Sequence, residues 1–293
     1  MRLATPAIAI ALSVLCATAA SAEAVKLDIR QLDTKAWVLM GSDGNVAIVP
    51  GESGALIVDC ERAKDFAEIA AAVDQVTHQP VKLVIDTHWH LDHSGANGPL
   101  AQAGATVIAQ RNVYARLSTD QFMAAYNKHV PASAPIARPG ILFDDRMEVH
   151  QGGEVIELRY APNAHTDGDA LVFLKHANVL HMGDVFFNGI FPFIDRSSNG
   201  SIQGMIAGVD MALAMADDKT RIVPGHGEIA TKAELQTYRN MLQDLEGNVA
   251  AQMKAGKTLD QIVASKPAAS YRAVMQGDED RLIASIYDSL KAG

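Results

Sequence analysis

Short apolar runs alternate with small polar residues in the first part of the chain. Residues 36–39, 46–49 and 55–58 are apolar, and clusters of Gly, Ser, Asp and Asn separate them. This pattern predicts a meander of β-strands. Residues 63–76 instead carry apolar side chains on one face at helical spacing, and residues 81–85 form a continuous apolar run. These two segments predict a helix followed by a buried strand.

The same periodicities continue along the chain, and helices dominate its end. Further strands are predicted at residues 106–109, 146–150, 155–160, 170–174, 179–182 and 222–223. Further helices are predicted at residues 94–103, 112–117, 202–215, 232–254, 259–264 and 278–290. Ser201 is the predicted N-cap of the helix at 202–215. Both halves combine strands with covering helices, which favours one domain over residues 23–293, with a helical extension from about residue 247.

Composition excludes several classes of protein. The chain has 293 residues, of which 48% are hydrophobic and 20% are charged, so it is not a disordered chain. The net charge of −9 gives no electrostatic reason to bind nucleic acid. Two cysteines provide no disulfide framework. We therefore expect a folded domain that acts on a small molecule, with no nucleic-acid partner. The sequence does not predict its oligomeric state.

The first 22 residues have the parts of a secretory signal peptide. Arg2 gives a positive start, residues 7–17 are apolar, and residues 20–22 read Ala-Ser-Ala, a small-x-small cleavage site. The apolar run is shorter than a helix needs to span a membrane. We therefore expect residues 1–22 to be removed, the mature protein to be periplasmic or secreted, and no stable membrane insertion.

A cluster of histidines directly follows the predicted buried strand at residues 81–85. His88, His90, Asp92 and His93 fall within six residues. Imidazoles at positions i and i+2 of an extended chain project to the same side. The turn that follows can bring Asp92 and His93 to a second metal. Neutral imidazole and carboxylate are ligands that suit zinc, so this segment predicts a metal site.

This cluster and later residues resemble the signature of the metallo-β-lactamase superfamily, H-x-H-x-D-H followed by a lone His, an Asp and a second lone His. The chain has His165, Asp184 and His226 in that order, and Asp59 ends an earlier strand as in the family. The resemblance covers roughly residues 26–238. It implies an α+β fold, a four-layer αββα sandwich, with the metals at one edge.

The resemblance also implies a set of seven metal ligands and two metal ions. The first ion would be held by His88, His90 and His165, the second by Asp92, His93 and His226, and Asp184 would bridge them. Zinc is the expected metal, with iron or manganese as alternatives. Asp59 and Asp86 are expected to accept hydrogen bonds from ligand imidazoles.

Two adjacent metal ions predict a hydrolytic reaction. They can lower the pKa of a shared water to near neutrality, so the resulting hydroxide is the expected nucleophile. Asp92 can orient this nucleophile and is the candidate catalytic residue for proton handling. Cys60 lies away from the cluster in sequence, so a thiolate mechanism is disfavoured.

The substrate class is less strongly indicated than the metals. Export and the family resemblance suit a β-lactamase, but Asp184 and Phe187 stand where one large lactamase subgroup has Cys and Lys. The bridging aspartate is typical of thioesterases and lactonases of the superfamily. We expect hydrolysis of a cyclic amide, a lactone or a related ester. The alternatives are a thioesterase, an iron-dependent redox or sulfur-handling enzyme, and a non-enzymatic metal-binding protein.

Several residues outside the metal motifs are candidates for binding the substrate. Phe187, Phe191 and Phe193 follow Asp184 in one loop and suggest an apolar pocket, or else a buried core segment. Trp89 lies between two predicted ligands and would pack beneath them or line the rim. Arg196 could bind a substrate carboxylate.

Two further segments have open alternatives. Residues 121–138 resemble an insertion that forms a lid over the site or a surface excursion without contact to substrate. The C-terminal helices could cover the sandwich or form a dimer contact.

Overall fold

The structure is a computed structural model that describes residues 27–41 and 43–292, without the side chain of Ala292. The predicted signal peptide at residues 1–22 lies outside the described residues. Within them, no helix has the length and apolar character needed to cross a membrane.

The first half of the described chain forms nine strands and four helices. They are β1 (Ile29–Asp33), β2 (Ala36–Met40), β3 (Asn45–Val49), β4 (Ala55–Val58), α1 (Phe66–Thr77), β5 (Val81–Asp86), α2 (Leu91–Ser94), α3 (Asn97–Gln102), β6 (Thr106–Gln110), α4 (Arg111–Leu117), β7 (Gln121–Met123), β8 (Lys128–Val130) and β9 (Ile141–Phe143). Short 3-10 turns connect some of them.

The second half of the described chain forms five strands and four helices. They are β10 (Arg146–Gln151), β11 (Glu154–Tyr160), β12 (Ala170–Leu174), β13 (Val179–His181), α5 (Ile202–Met215), β14 (Arg221–Val223), α6 (Lys232–Lys254), α7 (Leu259–Ala264) and α8 (Glu279–Ala292).

The strands form two large sheets and one hairpin. The first sheet has the order β1-β2-β3-β4-β5-β6-β9, and the second has the order β10-β11-β12-β13-β14. Strands β4, β5, β6 and β9 are parallel to their neighbours in that order, and β13 is parallel to β14. Parallel neighbours end at the same edge of a sheet, so the loops that follow them lie side by side.

The two sheets pack face to face through apolar side chains. Val38 and Ile85 of the first sheet belong to one buried cluster with Leu158 and Val172 of the second. Side chains at adjacent positions of a strand point to opposite faces, so Leu39 lies in a different cluster on the outer face. This alternation allows both faces of the first sheet to be buried.

Helices cover the outer faces of both sheets. Ile69 of α1 and Leu100 of α3 pack on the first sheet. Val209 of α5, Leu242 of α6 and Ile283 of α8 pack on the second. The layers are therefore helix, sheet, sheet, helix, which confirms the predicted α+β fold and αββα sandwich. The C-terminal helices α6 to α8 belong to the outermost layer of the second sheet.

Local sequence signals explain where several helices begin. The Ser201 hydroxyl accepts a hydrogen bond from the Gly204 amide, so Ser201 caps α5 as predicted. Thr231 and Glu234 form a reciprocal capping box at the start of α6. These caps satisfy amide groups that have no partner inside the helix.

Three parts of the fold differ from the sequence prediction. The helix predicted at 94–103 begins only at Asn97, as α3, and a separate short helix, α2, precedes it. Between them the Ala96 amide bonds to the Glu61 carbonyl at 3.2 Å. The segment 121–138 contains the hairpin of β7 and β8, which was not predicted. The strands β1 and β9, which complete the first sheet at its two ends, were not predicted either.

Candidate metal centre

The predicted ligands all follow strands and meet at one edge of the sandwich. The segment from His88 to His93 follows β5 of the first sheet. His165 follows β11, Asp184 follows β13 and His226 follows β14, all in the second sheet. The site is therefore assembled from loops of both sheets.

The structure brings the seven side chains together as two adjacent groups. In each group the potential ligand atoms lie within 4.8 Å of one another. The first group comprises His88, His90, His165 and Asp184, and the second comprises Asp92, His93 and His226. These are the same sets that the family resemblance implied, with Asp184 placed in the first.

Asp184 lies between the two groups. Its Oδ2 atom is 3.5 Å from His165 Nε2, and its Oδ1 atom is 3.2 Å from His93 Nε2 and 3.4 Å from His226 Nε2. One carboxylate oxygen thus faces each group. This is the geometry in which a carboxylate can bridge two cations.

In the first group, His165 and His90 each use one ring nitrogen in a hydrogen bond, which leaves the other nitrogen free to bind a metal. His165 donates from Nδ1 to the Phe193 carbonyl at 2.7 Å, and His90 donates from Nε2 to Asp195 at 3.0 Å. The remaining nitrogens, His165 Nε2 and His90 Nδ1, then carry lone pairs and face each other at 2.8 Å. Two lone pairs at this distance repel unless a cation lies between them.

His88 and His93 are also held by hydrogen bonds at Nδ1, which leave Nε2 free. Thr87 donates its hydroxyl proton to Asp59 at 2.9 Å and accepts from His88 Nδ1 at 3.1 Å. His93 Nδ1 donates to Asp59 at 2.8 Å. His88 Nε2 is buried with no hydrogen-bond partner. The four rings therefore turn their free nitrogens toward Asp184, and this donor set fits metal cations.

The ionisation of these groups agrees with a ligand role. Burial lowers the pKa of His88 well below its ordinary value and that of His165 to about 4, so both rings are neutral. Burial acts to raise the pKa of Asp184, but the neighbouring histidines outweigh it and hold that carboxyl ionised. Burial acts to lower the pKa of His93, but Asp184 and Asp59 outweigh it and raise that pKa. A proton and a metal therefore compete for His93 Nε2.

Two carboxylates outside the ligand set hold ligand rings, and one of them was not predicted. Asp59 accepts from His93, as expected. Asp86 does not contact a ligand imidazole, because its Oδ2 atom accepts from the Asn97 amide at 2.7 Å, so that expectation is wrong. The unpredicted carboxylate is Asp195, which accepts the hydrogen bond from His90 Nε2. Asp195 lies in a loop whose spacing carries no sequence signal, which is why the sequence did not reveal it.

Glycines allow the loops around Asp184 to approach closely. A Cβ atom on Gly225 would lie 2.0 Å from Asp184 Oδ1, which no side chain can accommodate. Gly183 has a φ of +50° and would place a Cβ atom 2.4 Å from the Thr87 hydroxyl oxygen. Both positions require glycine, and they keep Asp184 against the β5 loop.

The two groups open into a cleft of about 540 Å³ with a largely apolar wall. Phe187, Phe191 and Phe193 line it. Phe187 stacks on the His226 ring with centroids 5.5 Å apart, and Phe193 stacks on His90 at 6.0 Å. The wall therefore packs directly against the candidate ligands.

The other two candidate substrate residues are Trp89 and Arg196, and hydrogen bonds to other parts of the chain hold their side chains. Trp89 borders the cleft but is almost fully buried, and its indole donates to the Ser198 hydroxyl at 3.0 Å. It packs beneath the ligands. Arg196 does not line the cleft, because its guanidinium bonds to the carbonyls of Gly200 and Asp288.

The hairpin of β7 and β8 covers one side of the cleft. Met123, Tyr126 and Lys128 line the cleft from this hairpin. The Tyr126 ring lies 5.1 Å from the Phe193 ring. Of the two alternatives for residues 121–138, the structure therefore favours a cover over the site.

Comparison with known proteins shows the family. Residues 40–226 match the family model described as the metallo-beta-lactamase superfamily. The chain belongs to the metallo-beta-lactamase superfamily. The resemblance inferred from the sequence motifs is thereby confirmed.

Solved structures share the superfamily fold at low sequence identity. A metallo-beta-lactamase from Pontibacter korlensis is 18% identical with a TM-score of 0.61, covering 75% of this chain and 100% of that one. The stereoselective inverting sec-alkylsulfatase Pisa1 from Pseudomonas sp. is 17% identical with a TM-score of 0.67, covering 89% of this chain and 49% of that one. These similarities establish the fold.

One curated relative is named as a subunit of an O-demethylase. The 2,4-dinitroanisole O-demethylase subunit alpha of Nocardioides sp. (strain JS1661) is 25% identical over 160 residues. The match covers 53% of this chain and 45% of that protein. The chain thus spans less than half the length of this relative.

Proposed function

We propose that this superfamily member is a hydrolase that uses two zinc ions to cleave a cyclic amide, a lactone or a related ester. The position of Asp184 is the observation that carries the proposal. Its two oxygens face two groups of histidine rings and carboxylates, and both groups border the same apolar cleft. A pair of metal sites beside a pocket for a small molecule is the arrangement expected of a hydrolytic centre.

The seven residues would each hold a metal through the atom that faces the cluster. When bound, the two ions lower the pKa of water to near neutrality and polarise the acyl oxygen of the substrate. The chain orients the participants. Asp195 and Asp59 keep His90 and His93 in the tautomers that leave their free nitrogens directed into the site.

Asp92 is the proposed catalytic residue. It lines the cleft, and its Oδ2 atom lies 3.7 Å from His226 Nε2 and 3.9 Å from the Arg62 guanidinium. Its side chain is a quarter exposed, so it can reach both water and substrate. We assign to it the orientation of the attacking water and the transfer of the proton toward the leaving group.

The composition of the cleft supports water as the nucleophile. Among the described residues that line it there is no Ser, Thr or Cys. Cys60 is fully buried, and burial raises the pKa of its thiol well above the ordinary value. A covalent mechanism through a serine or threonine hydroxyl or a thiolate therefore has no residue available in the described lining. Tyr126 lines the cleft, but burial raises the pKa of its phenol, which disfavours a phenolate nucleophile.

Metal analysis and a substrate panel test the proposal together. We expect the purified protein to contain two zinc ions per chain and to hydrolyse a member of a panel of β-lactams, lactones, simple esters and thioesters. Iron with a visible absorption band, and no hydrolysis across the panel, would refute the proposal and support the redox alternative. Cleavage of thioesters alone would support the thioesterase alternative.

We also propose export, on the sequence of residues 1–22. Expression of the full chain in a bacterial host, followed by fractionation and N-terminal sequencing, tests it. Export predicts periplasmic or extracellular protein that begins at Glu23. Cytoplasmic protein that retains residues 1–22 would contradict it.

A further inference from the structure

Three basic side chains border the cleft beside the candidate metal ligands, and none belongs to the superfamily motifs. They are Arg62, Lys128 and Arg281. The Arg62 guanidinium is engaged by two acidic side chains, because its Nε atom lies 2.8 Å from Asp43 and its Nη2 atom lies 3.9 Å from the candidate ligand Asp92. Lys128 is exposed and forms no ion pair with any residue that the structure describes. The basic groups available to a ligand are therefore Lys128 and Arg281.

Arg281 reaches the cleft from the first turn of α8. Its guanidinium lies over the face of the Tyr126 ring, 4.4 Å from the centroid. Its one ion pair with a described residue is to Asp278 at 3.3 Å, and about a third of the side chain is exposed. A guanidinium has five N–H donors, so its contacts with Tyr126 and Asp278 leave further N–H groups for a ligand.

The helix dipole does not favour a basic residue at this position, and the (i, i+3) ion pair with Asp278 offsets that cost. The N-terminal turn of a helix favours acidic side chains and disfavours basic ones, because of the helix dipole. The chain as a whole is acidic, with a net charge of −9. A pair of basic groups at the mouth of the cleft in an acidic protein is thus a local feature of the site.

The apolar wall and the basic groups lie on the same cleft as the metal ligands. Phe187, Phe191, Phe193 and Met123 supply the apolar wall. Of the three acidic residues that line the cleft, Asp92 and Asp184 are candidate ligands and Asp278 pairs with Arg281. A ligand that fills this cleft would place its reacting bond at the ligands, its body on the phenylalanines and its far end near Lys128 and Arg281.

We propose that Arg281, assisted by Lys128, binds an acidic group at the far end of the substrate. The substrate class is then an amphiphilic anion, with an apolar body between the scissile bond and a carboxylate, sulfonate or sulfate. This inference rests on the proposed hydrolase function and specifies its substrate. The planar guanidinium can donate two parallel hydrogen bonds to such an oxyanion.

Two matched esters test the specificity. 4-Nitrophenyl hexanoate is neutral, and mono-4-nitrophenyl adipate has the same acyl length but ends in a carboxylate. We expect the zinc-loaded wild type to prefer the adipate ester in kcat/KM. Arg281→Gln should lower the ratio of adipate to hexanoate by about tenfold, because one charge-assisted contact is lost. Arg281→Lys should retain part of the preference.

Arg239→Gln is the matched control for loss of a positive charge. Arg239 pairs with Asp210 on the helical surface, away from the cleft, so its removal should leave the ratio unchanged. Equal losses of both esters in Arg281→Gln would overturn the proposal, since they would indicate a packing role through Tyr126.

A binding measurement separates this proposal from the proposed function. Sulfonates are weak metal ligands, so hexane-1-sulfonate and hexan-1-ol probe the cleft by calorimetry on the zinc-loaded protein. We expect the sulfonate to bind more tightly, and Arg281→Gln to reduce its affinity about tenfold. If neither ester reacts while this dependence on Arg281 holds, the hydrolase function fails and the anion site stands. If both esters react and Arg281→Gln changes neither ratio nor affinity, the anion site fails alone.

Discussion

Four of the five candidate ligand rings, those of His88, His90, His93 and His165, are held by a second residue that decides which nitrogen is free. Asp195 shows this most clearly, because it accepts hydrogen bonds from His90, the Ser198 hydroxyl and the Ser197 amide. Burial acts to raise the pKa of Asp195, but the His90 contact outweighs it and lowers the pKa to about 2. An ionised acceptor is therefore always present behind His90.

Replacing this acceptor should weaken metal binding without removing a ligand. Asp195→Asn keeps the volume of the side chain but can turn a donor toward His90 Nε2, which favours the wrong tautomer. We expect metal affinity to fall about 10–100-fold, measured by competition with a chromogenic chelator. Asp210→Asn, an exposed carboxylate on α5, is the control. Unchanged affinity in Asp195→Asn would show that the tautomer is set elsewhere.

Removal of Asp184, the candidate bridging carboxylate, should have a larger effect than replacement of Asp195. Asp184→Ala and His88→Ala are each expected to abolish hydrolysis and to release metal, measured by elemental analysis of the purified variants. His176→Ala is the matched control, since His176 is an exposed histidine outside both groups. A full metal content in both ligand variants would contradict the assignment of the site.

The sequence revealed the residues that carry the motifs and one residue that supports them, Asp59, but not Asp195. The structure brings the seven predicted ligands into two groups because each follows a strand, and strand ends are visible in the apolar pattern. Asp195, Lys128 and Arg281 have no such signal. Their approach to the site depends on contacts between distant elements, which no local spacing encodes.

At the scale of elements, the hairpin of β7 and β8 is the part most directly linked to the cleft. The Ala124 amide donates to the Ser197 hydroxyl at 2.9 Å, so the hairpin is tied to the turn that contains Asp195's partners. At the base of the hairpin, Gln121 accepts a hydrogen bond from Arg116 at 3.0 Å, and Arg116 also pairs with Asp167 at 2.6 Å. The cover is thus anchored at its tip and at its base.

Truncation of the hairpin tip should affect substrate binding more than metal binding. Tyr126→Ala removes the ring that packs on Phe193, so we expect KM to rise several-fold while metal content stays at the wild-type level. Phe122→Ala is the matched control, because Phe122 is an exposed aromatic of the same hairpin that does not line the cleft. Equal effects of the two substitutions would indicate a general loosening of the hairpin.

Helices and central strands were predictable, whereas edges and breaks were not. The bounds of α5 and α6 agree with the prediction because apolar periodicity and caps act together there. The strands β1 and β9 are short and only partly buried, so their apolar pattern is weak. At the break between α2 and α3, Ala96 bonds to Glu61, a residue thirty-five positions earlier in the chain.

At the scale of the whole molecule, metal removal should destabilise the fold. A ligand that binds only the native state stabilises it by about 4 kcal/mol at a thousandfold excess over its Kd. For a chain of this size we expect chelation with EDTA to lower Tm by roughly 10 °C, measured by scanning calorimetry. His88→Ala should respond much less. Equal Tm values with and without EDTA in the wild type would contradict a metal-bound native state.

The architecture itself followed from the order of elements and the motifs. Two sets of strands, each with covering helices, predicted the sandwich, and the buried clusters on three levels confirm it. The position of α8 beside the cleft could not be predicted in this way. It depends on how the last helices pack on the second sheet, which their amphipathic pattern alone does not determine.

Each candidate metal group combines side chains from segments that follow strands of the first sheet and of the second sheet. The β5 loop provides two members of each group, and loops of the second sheet provide the others. Neither half of the sandwich can then retain an ion by itself, and residue 226 must be synthesised before the second group is complete. In a refolding experiment, metal uptake would therefore occur only after the two sheets dock, and its rate would report that late assembly step.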